Sequence, residues 1–212
     1  MQYGRVLNLS FYNKAIQFIV KNRLLILVTV FFITGFAIAV FGTGKYEFVT
    51  EWTQNYFESF IAERTENSFF AVAADSFLSS MLFIILCLIF GTSMLGVIII
   101  PAVVAIKGYI LGNLTAYLYS VFSFEGVAFH AVIVLPPAII FSAAFIFSAI
   151  EAINFSFNLS KLTFIQDFSF DLNREFKRFC FRFLLFSIPV LASGIIDALL
   201  SNNLLNNFSG IT

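Results

Sequence analysis

Of the 212 residues, 60% are hydrophobic and only 11% charged, and twelve basic residues balance twelve acidic ones. A soluble domain carries about 25% charged residues, so this chain cannot clothe a water-facing surface of its size, and zero net charge gives no electrostatic case for nucleic acid. In lipid, every backbone N–H and C=O needs an internal partner, which leaves helices or closed barrels. Barrel strands alternate apolar and polar residues, whereas the apolar runs here are continuous. The expected fold is all-α integral membrane, with about five transmembrane helices.

Residues 1–23 contain Arg5, Lys14, Lys21 and Arg23 and no acid. Leu7, Phe11, Tyr12, Ala15, Phe18 and Ile19 recur at helical spacing, which predicts a cytoplasmic amphipathic helix on the membrane surface. Span one follows at about 24–43 and ends at Gly42-Thr43-Gly44. Ala37-Ile38-Ala39 has the form of a signal-peptidase site, but the leader is long and itself amphipathic, so a retained span is expected.

Residues 45–75 are acidic and read as an outer loop. Val49, Trp52, Tyr56, Phe57, Phe60 and Ile61 repeat at helical spacing, so part of the loop is expected to be an amphipathic helix, with Trp52 and Tyr56 suited to the interface. Glu51, Glu58 and Glu63 with Trp52 are the candidate partner-docking residues; the plainer reading is a helix packed over the bundle mouth.

Ser76 to Ile106 carries no charge. Gly91, Gly96 and Pro101 suggest breaks, so span two is placed at about 77–96, a tight inner connection or re-entrant piece at 97–106, and span three at 107–123. That arrangement keeps Lys107 near the inner surface. An unbroken helix would put it roughly 15 Å deep at 1.5 Å per residue. Span four is expected at about 127–150, kinked at Pro136-Pro137, and span five at 183–205. Between them lies the inner basic segment 154–182, and 206–212 forms a short outer tail, so 24–205 is a single membrane domain.

With the N-terminus inside, the inner segments hold ten Lys/Arg and the outer ones two. Positive charge in short loops marks the cytoplasmic side, so the N-terminus is expected in the cytoplasm and the C-terminus outside. Lys107, Glu151, Asp197 and Asn113 are the polar residues to watch, because ionisable groups in apolar helices seek partners. Lys107 and Glu151 are expected to pair. Gly108 and Gly112 form a small-xxx-small contact motif.

An enzyme is not expected. Ser93 and His130 should lie at opposite membrane faces, too far apart for the hydrogen bond that activates a nucleophile. With a single histidine, HExxH zinc sites are absent, and no cofactor or metal spacing stands out. Cys87 and Cys180 read as free thiols.

Gly91–Gly96 followed by IKGYILGN at 106–113, LPPAIIFSAA at 135–144 and LASGIIDALLS at 191–201 resemble segments of the stage II sporulation protein M family, over roughly residues 70–205. This chain departs from the Leu-Pro-His-Gly pattern of many relatives at Pro137 and Ala138, and has Asp197 where the last-span acid is often Glu. The resemblance implies a non-enzymatic bacterial cell-membrane scaffold. Its partners would be membrane lipid and other membrane or extracytoplasmic proteins, among them cell-wall hydrolases acting in engulfment and peptidoglycan remodelling. The alternative is a permease-like subunit working with a cytoplasmic ATPase in ABC-type transport or in bacteriocin maturation or immunity.

Overall fold

The computed structural model describes residues 22–42, 47–164 and 171–208; the amphipathic helix expected at 1–23 lies almost wholly outside them. The described chain forms α1 (Arg23–Gly42), α2 (Glu47–Glu66), α3 (Phe69–Gly91), α4 (Gly96–Phe129), a π-helical turn (His130–Val134), α5 (Leu135–Phe164), α6 (Leu172–Leu204) and a 3-10 turn (Leu205–Phe208). The fold is all-α. Four helical runs are long and apolar enough to cross a membrane, one of them the 69-residue stretch Gly96–Phe164.

That long run doubles back on itself. Ser123, at φ 50° and ψ −124°, breaks the helical path inside α4. Thr115 Oγ1 then lies 3.3 Å from His130 Nε2, although fifteen residues of straight helix would separate them by about 22 Å. Gly126 packs directly on the Leu118 carbonyl. The result is a helical hairpin, and the described chain has five apolar arms: α1, α3, the first part of α4, the arm from Phe124 to Phe164, and α6.

The connection between the second and third arms corrects the expectation. Residues 97–106 are neither a re-entrant piece nor a connection but the start of α4; the turn is Thr92–Leu95. Pro101 sits inside α4 and leaves the Val97 carbonyl without its i+4 donor. Membrane helices tolerate such a gap. The turn is secured from outside instead. The Ser156 hydroxyl on α5 donates to the Ser93 carbonyl at 2.6 Å and accepts from the Val97 N–H at 3.1 Å. Just before Pro136-Pro137 the helix widens into a π turn, which accommodates the two missing N–H groups.

Several helical ends extend past the expected borders, and α5 runs on to Phe164. α3 begins at Phe69 and α6 at Leu172, where Asp171 caps the first turn by accepting from the Arg174 N–H at 3.2 Å. The basic segment is therefore largely a hairpin formed by the end of α5 and the start of α6, glued by the stacked rings of Phe155 and Phe179, 4.4 Å apart.

The closest helix contact is between α1 and α4, which run parallel. A Cβ added at Gly35 would lie 2.0 Å from the Ala105 carbonyl oxygen, and one added at Gly108 would lie 2.2 Å from that of Phe32. In lipid, helices associate through such packing rather than through the hydrophobic effect. Gly108 and Gly112 are thus the contact face that their spacing suggests. The core has two parts. One, around Ile84, Cys87, Ile100, Val104 and Phe145, fills the half of the bundle nearer the Thr92–Leu95 turn. The other, around Phe57, Leu118, Phe129 and Ile133, fills the half nearer Ser123. The end carrying Arg23 and the α5–α6 hairpin is rich in basic residues, and the end carrying α2 is rich in acids; they are called the basic and acidic ends below.

Candidate functional site: a cavity roofed by an anchored helix

α2 is amphipathic, and its inward stripe is Thr53, Phe57, Phe60 and Arg64. Phe57 is 3% exposed and drives its ring between those of Tyr117, Phe122 and Phe129, with centroids 5.8–5.9 Å away. Thr53, also buried, returns its hydroxyl to the Val49 carbonyl at 2.7 Å. Glu51 and Glu58 are exposed on the opposite side of the helix, Glu58 accepting from Gln54 at 2.8 Å. Glu63 lies on the flank beside Asp75. Desolvation and that neighbouring carboxyl, with which it shares a hydrogen bond, hold Glu63 above the usual carboxylate range. Trp52 stacks on Tyr56 at 5.8 Å. All four candidate docking residues, Glu51, Trp52, Glu58 and Glu63, are thus exposed, and Trp52 also lines a cavity.

The anchor of α2 is an ion pair that the sequence did not reveal. Arg64 bonds Asp197 of α6, and Ser76 of α3 donates to the same carboxylate oxygen. The two charged side chains are 6% and 8% exposed. The guanidinium also donates to the Phe60 carbonyl at 3.1 Å and to the Ser76 hydroxyl at 3.3 Å, and lies 3.4 Å over the centre of the Phe60 ring. Asp197 is therefore the partner-seeking acid that its position suggested, and its partner is 133 residues away. Close by, the Ser193 hydroxyl donates to the Pro137 carbonyl at 2.8 Å, tying α6 to the proline pair.

Below this pair lies a cavity of about 320 Å³. Trp52, Tyr56 and Phe60 roof it, and Arg64 and Asp197 line it near the roof. Serines 76, 79, 80, 142 and 193 supply hydroxyls along its wall, and Lys107 reaches its deep end. Phe83 and Phe141 flank the Lys107 ammonium, their centroids 4.4 and 4.9 Å away. Phe83 lies seven residues beyond Ser76 on α3, so the cavity runs about 10 Å down the helix axis from Arg64 to Lys107.

This geometry corrects two expectations. Lys107 does not sit at the basic surface: it is eleven residues into α4, about 16 Å along the helix. Nor does it pair with Glu151. The Phe141 ring, beside Lys107, is ten residues and about 15 Å up α5 from Glu151. Glu151 accepts instead from Arg182 of α6 at 2.6 Å. Those side chains are 28% and 55% exposed, so the bridge contributes little, about 0–1 kcal/mol. Asn113 is buried in α4 at 2% exposure, next to the glycine contact with α1. Ser93 and His130 lie far apart as anticipated. Ser93 is held by Ser156, twenty-six residues down the same arm from His130, a helical distance of about 39 Å. Both cysteines are free.

An all-α bundle of five apolar arms, with an amphipathic helix fastened across one end and a largely apolar cavity beneath it, defines a multi-pass integral membrane protein. The family model of stage II sporulation protein M matches residues 28–202, and the chain belongs to that family. Membership points to a sporulation-related membrane protein. No curated protein and no solved structure matches the chain.

Proposed function

We propose that this protein is a non-catalytic membrane scaffold that presents α2 to partner proteins at the extracytoplasmic face of the cell membrane. Its work would lie in engulfment and peptidoglycan remodelling, with cell-wall hydrolases or their membrane tethers as the partners. The observation carrying this reading is that α2 has two different faces: one locked into the bundle through Phe57 and Arg64, the other offering exposed Glu51 and Glu58. A helix held rigid by its buried side loses little further entropy when its outer side is bound. The orientation follows the bias of Lys and Arg toward the cytoplasm, which puts the α5–α6 hairpin inside and α2 outside.

A second reading rests on a separate observation. The arm from Phe124 to Phe164 has 41 residues, 124 through 164, about 61 Å of helix, against about 40–45 Å for a bilayer with its headgroups. The excess stands out at the basic end with the start of α6, as an element on which a cytoplasmic ATPase would dock in a permease-like assembly. Co-purification from membranes separates the two. With Glu51, Glu58 and Glu63 all changed to Gln, extracytoplasmic partners should be lost while any ATPase is retained. Undiminished recovery of every extracytoplasmic partner would defeat the α2 docking surface.

A further inference from the structure

We propose that the cavity beneath α2 binds an anionic single-chain amphiphile, a lipid-derived molecule with one phosphate or carboxylate head on an apolar chain. The charges inside define the sign of the ligand. Arg64 and Asp197 neutralise each other, so Lys107 leaves the cavity with one net positive charge. No carboxylate of the described residues lies within ion-pair distance of Lys107; its neighbours are two aromatic faces. A lysine at this depth is costly unless it lines a cavity or meets a counter-charge, and such residues mark binding sites and pathways.

Arg64 also lines the cavity, but its guanidinium is taken up by Asp197, so the ligand's charge is left to Lys107. The Lys107 ammonium, with the hydroxyls of Ser80 and Ser142 on the cavity wall, matches a group with acceptor oxygens. The ligand's other half is set by the remaining wall, which is largely aromatic and aliphatic, and by the mouth. Leu82 and Trp52, at 61% and 45% exposure, belong both to the cavity lining and to the lipid-facing surface. The cavity is thus reached from the bilayer, where an amphiphile is already concentrated and oriented. Its volume lies at the small end of the range for ligand pockets, about 300–1,000 Å³, which suits the head and upper chain of a single-chain molecule rather than a two-chain lipid.

Trp52, the one tryptophan of the chain, reports on occupancy directly. The full chain in a neutral detergent is titrated with dibromostearate, whose bromines quench indole fluorescence at contact. Saturable quenching is expected, relieved by stearate and by dodecyl phosphate but not by stearyl alcohol or inorganic phosphate. Lys107→Met should weaken binding roughly tenfold or more, corresponding to about 1.4 kcal/mol or more, while Lys107→Arg retains it. Ala138→Phe, which fills the cavity without touching a charge, should abolish it. Equal affinity in Lys107→Met, or competition by the alcohol as strong as by stearate, would overturn the proposal. Displacement of the probe by inorganic phosphate alone would overturn the amphiphile in favour of a free anion.

Discussion

Asp197→Leu is expected to lower the stability of the protein in detergent by about 3–5 kcal/mol, the cost of leaving a buried charge without its partner. The stranded charge would be Arg64, 6% exposed and packed on the Phe60 ring. The double variant Arg64→Met/Asp197→Leu should be markedly milder than Asp197→Leu alone, because replacing a buried pair by apolar groups is often close to neutral. Contacting residues show such non-additivity, whereas independent sites add. Thermal unfolding of the three purified variants measures it. Additive losses would show that the two side chains do not act as a pair.

Gly108→Leu is expected to do as much damage by a different mechanism. Even a bare Cβ there would fall 2.2 Å from the Phe32 carbonyl oxygen, and backbone, unlike a side-chain tip, has no rotamer in which to retreat. Overpacking costs about 1–3 kcal/mol where side chains can adjust; here α1 must leave α4, so the loss should reach or exceed the top of that range. Gly42→Ala is the matched control, since nothing lies within 4 Å of its added Cβ, and it should move stability by no more than about 0.5 kcal/mol. The two variants are compared by the fraction recovered as a monodisperse species after heating. Equal recovery would mean that the α1–α4 contact is looser than the glycines require.

Hydropathy made the membrane class and the five arms legible, because uncharged runs long enough to span have few other uses. The Gly108/Gly112 contact was legible for a related reason: small residues spaced by four lie on one face of any helix. Depth was harder. The cost of a deep lysine argues for Lys107 at the surface, and a sequence does not show that folding will supply a cavity and two phenylalanine faces to receive it. Gly91 and Gly96 do bound the turn, as their spacing suggests, but Pro101 lies inside α4, because a four-residue turn suffices once Ser156, 63 residues from Ser93, binds its backbone. The same limit hid the Arg64–Asp197 pair. Asp197 stood out as an acid in an apolar helix, but Arg64 looked like one of several charges in an acidic loop. Only the inward stripe of Thr53, Phe57, Phe60 and Arg64, traced residue by residue, would have shown that the arginine shares the buried face of α2.

The account turns on α2 being a fastened roof rather than a loose loop, and hydrogen exchange of the protein in lipid nanodiscs tests that most directly. Peptides covering Thr53 to Arg64 should exchange slowly in the native chain, because opening this segment means extracting Phe57 and breaking the ion pair, and local opening energies set exchange rates. In Asp197→Asn the same peptides should lose protection while those of α1 and α4 keep theirs. Rapid exchange of α2 in the native protein, at the rate of an unstructured segment, would contradict the account.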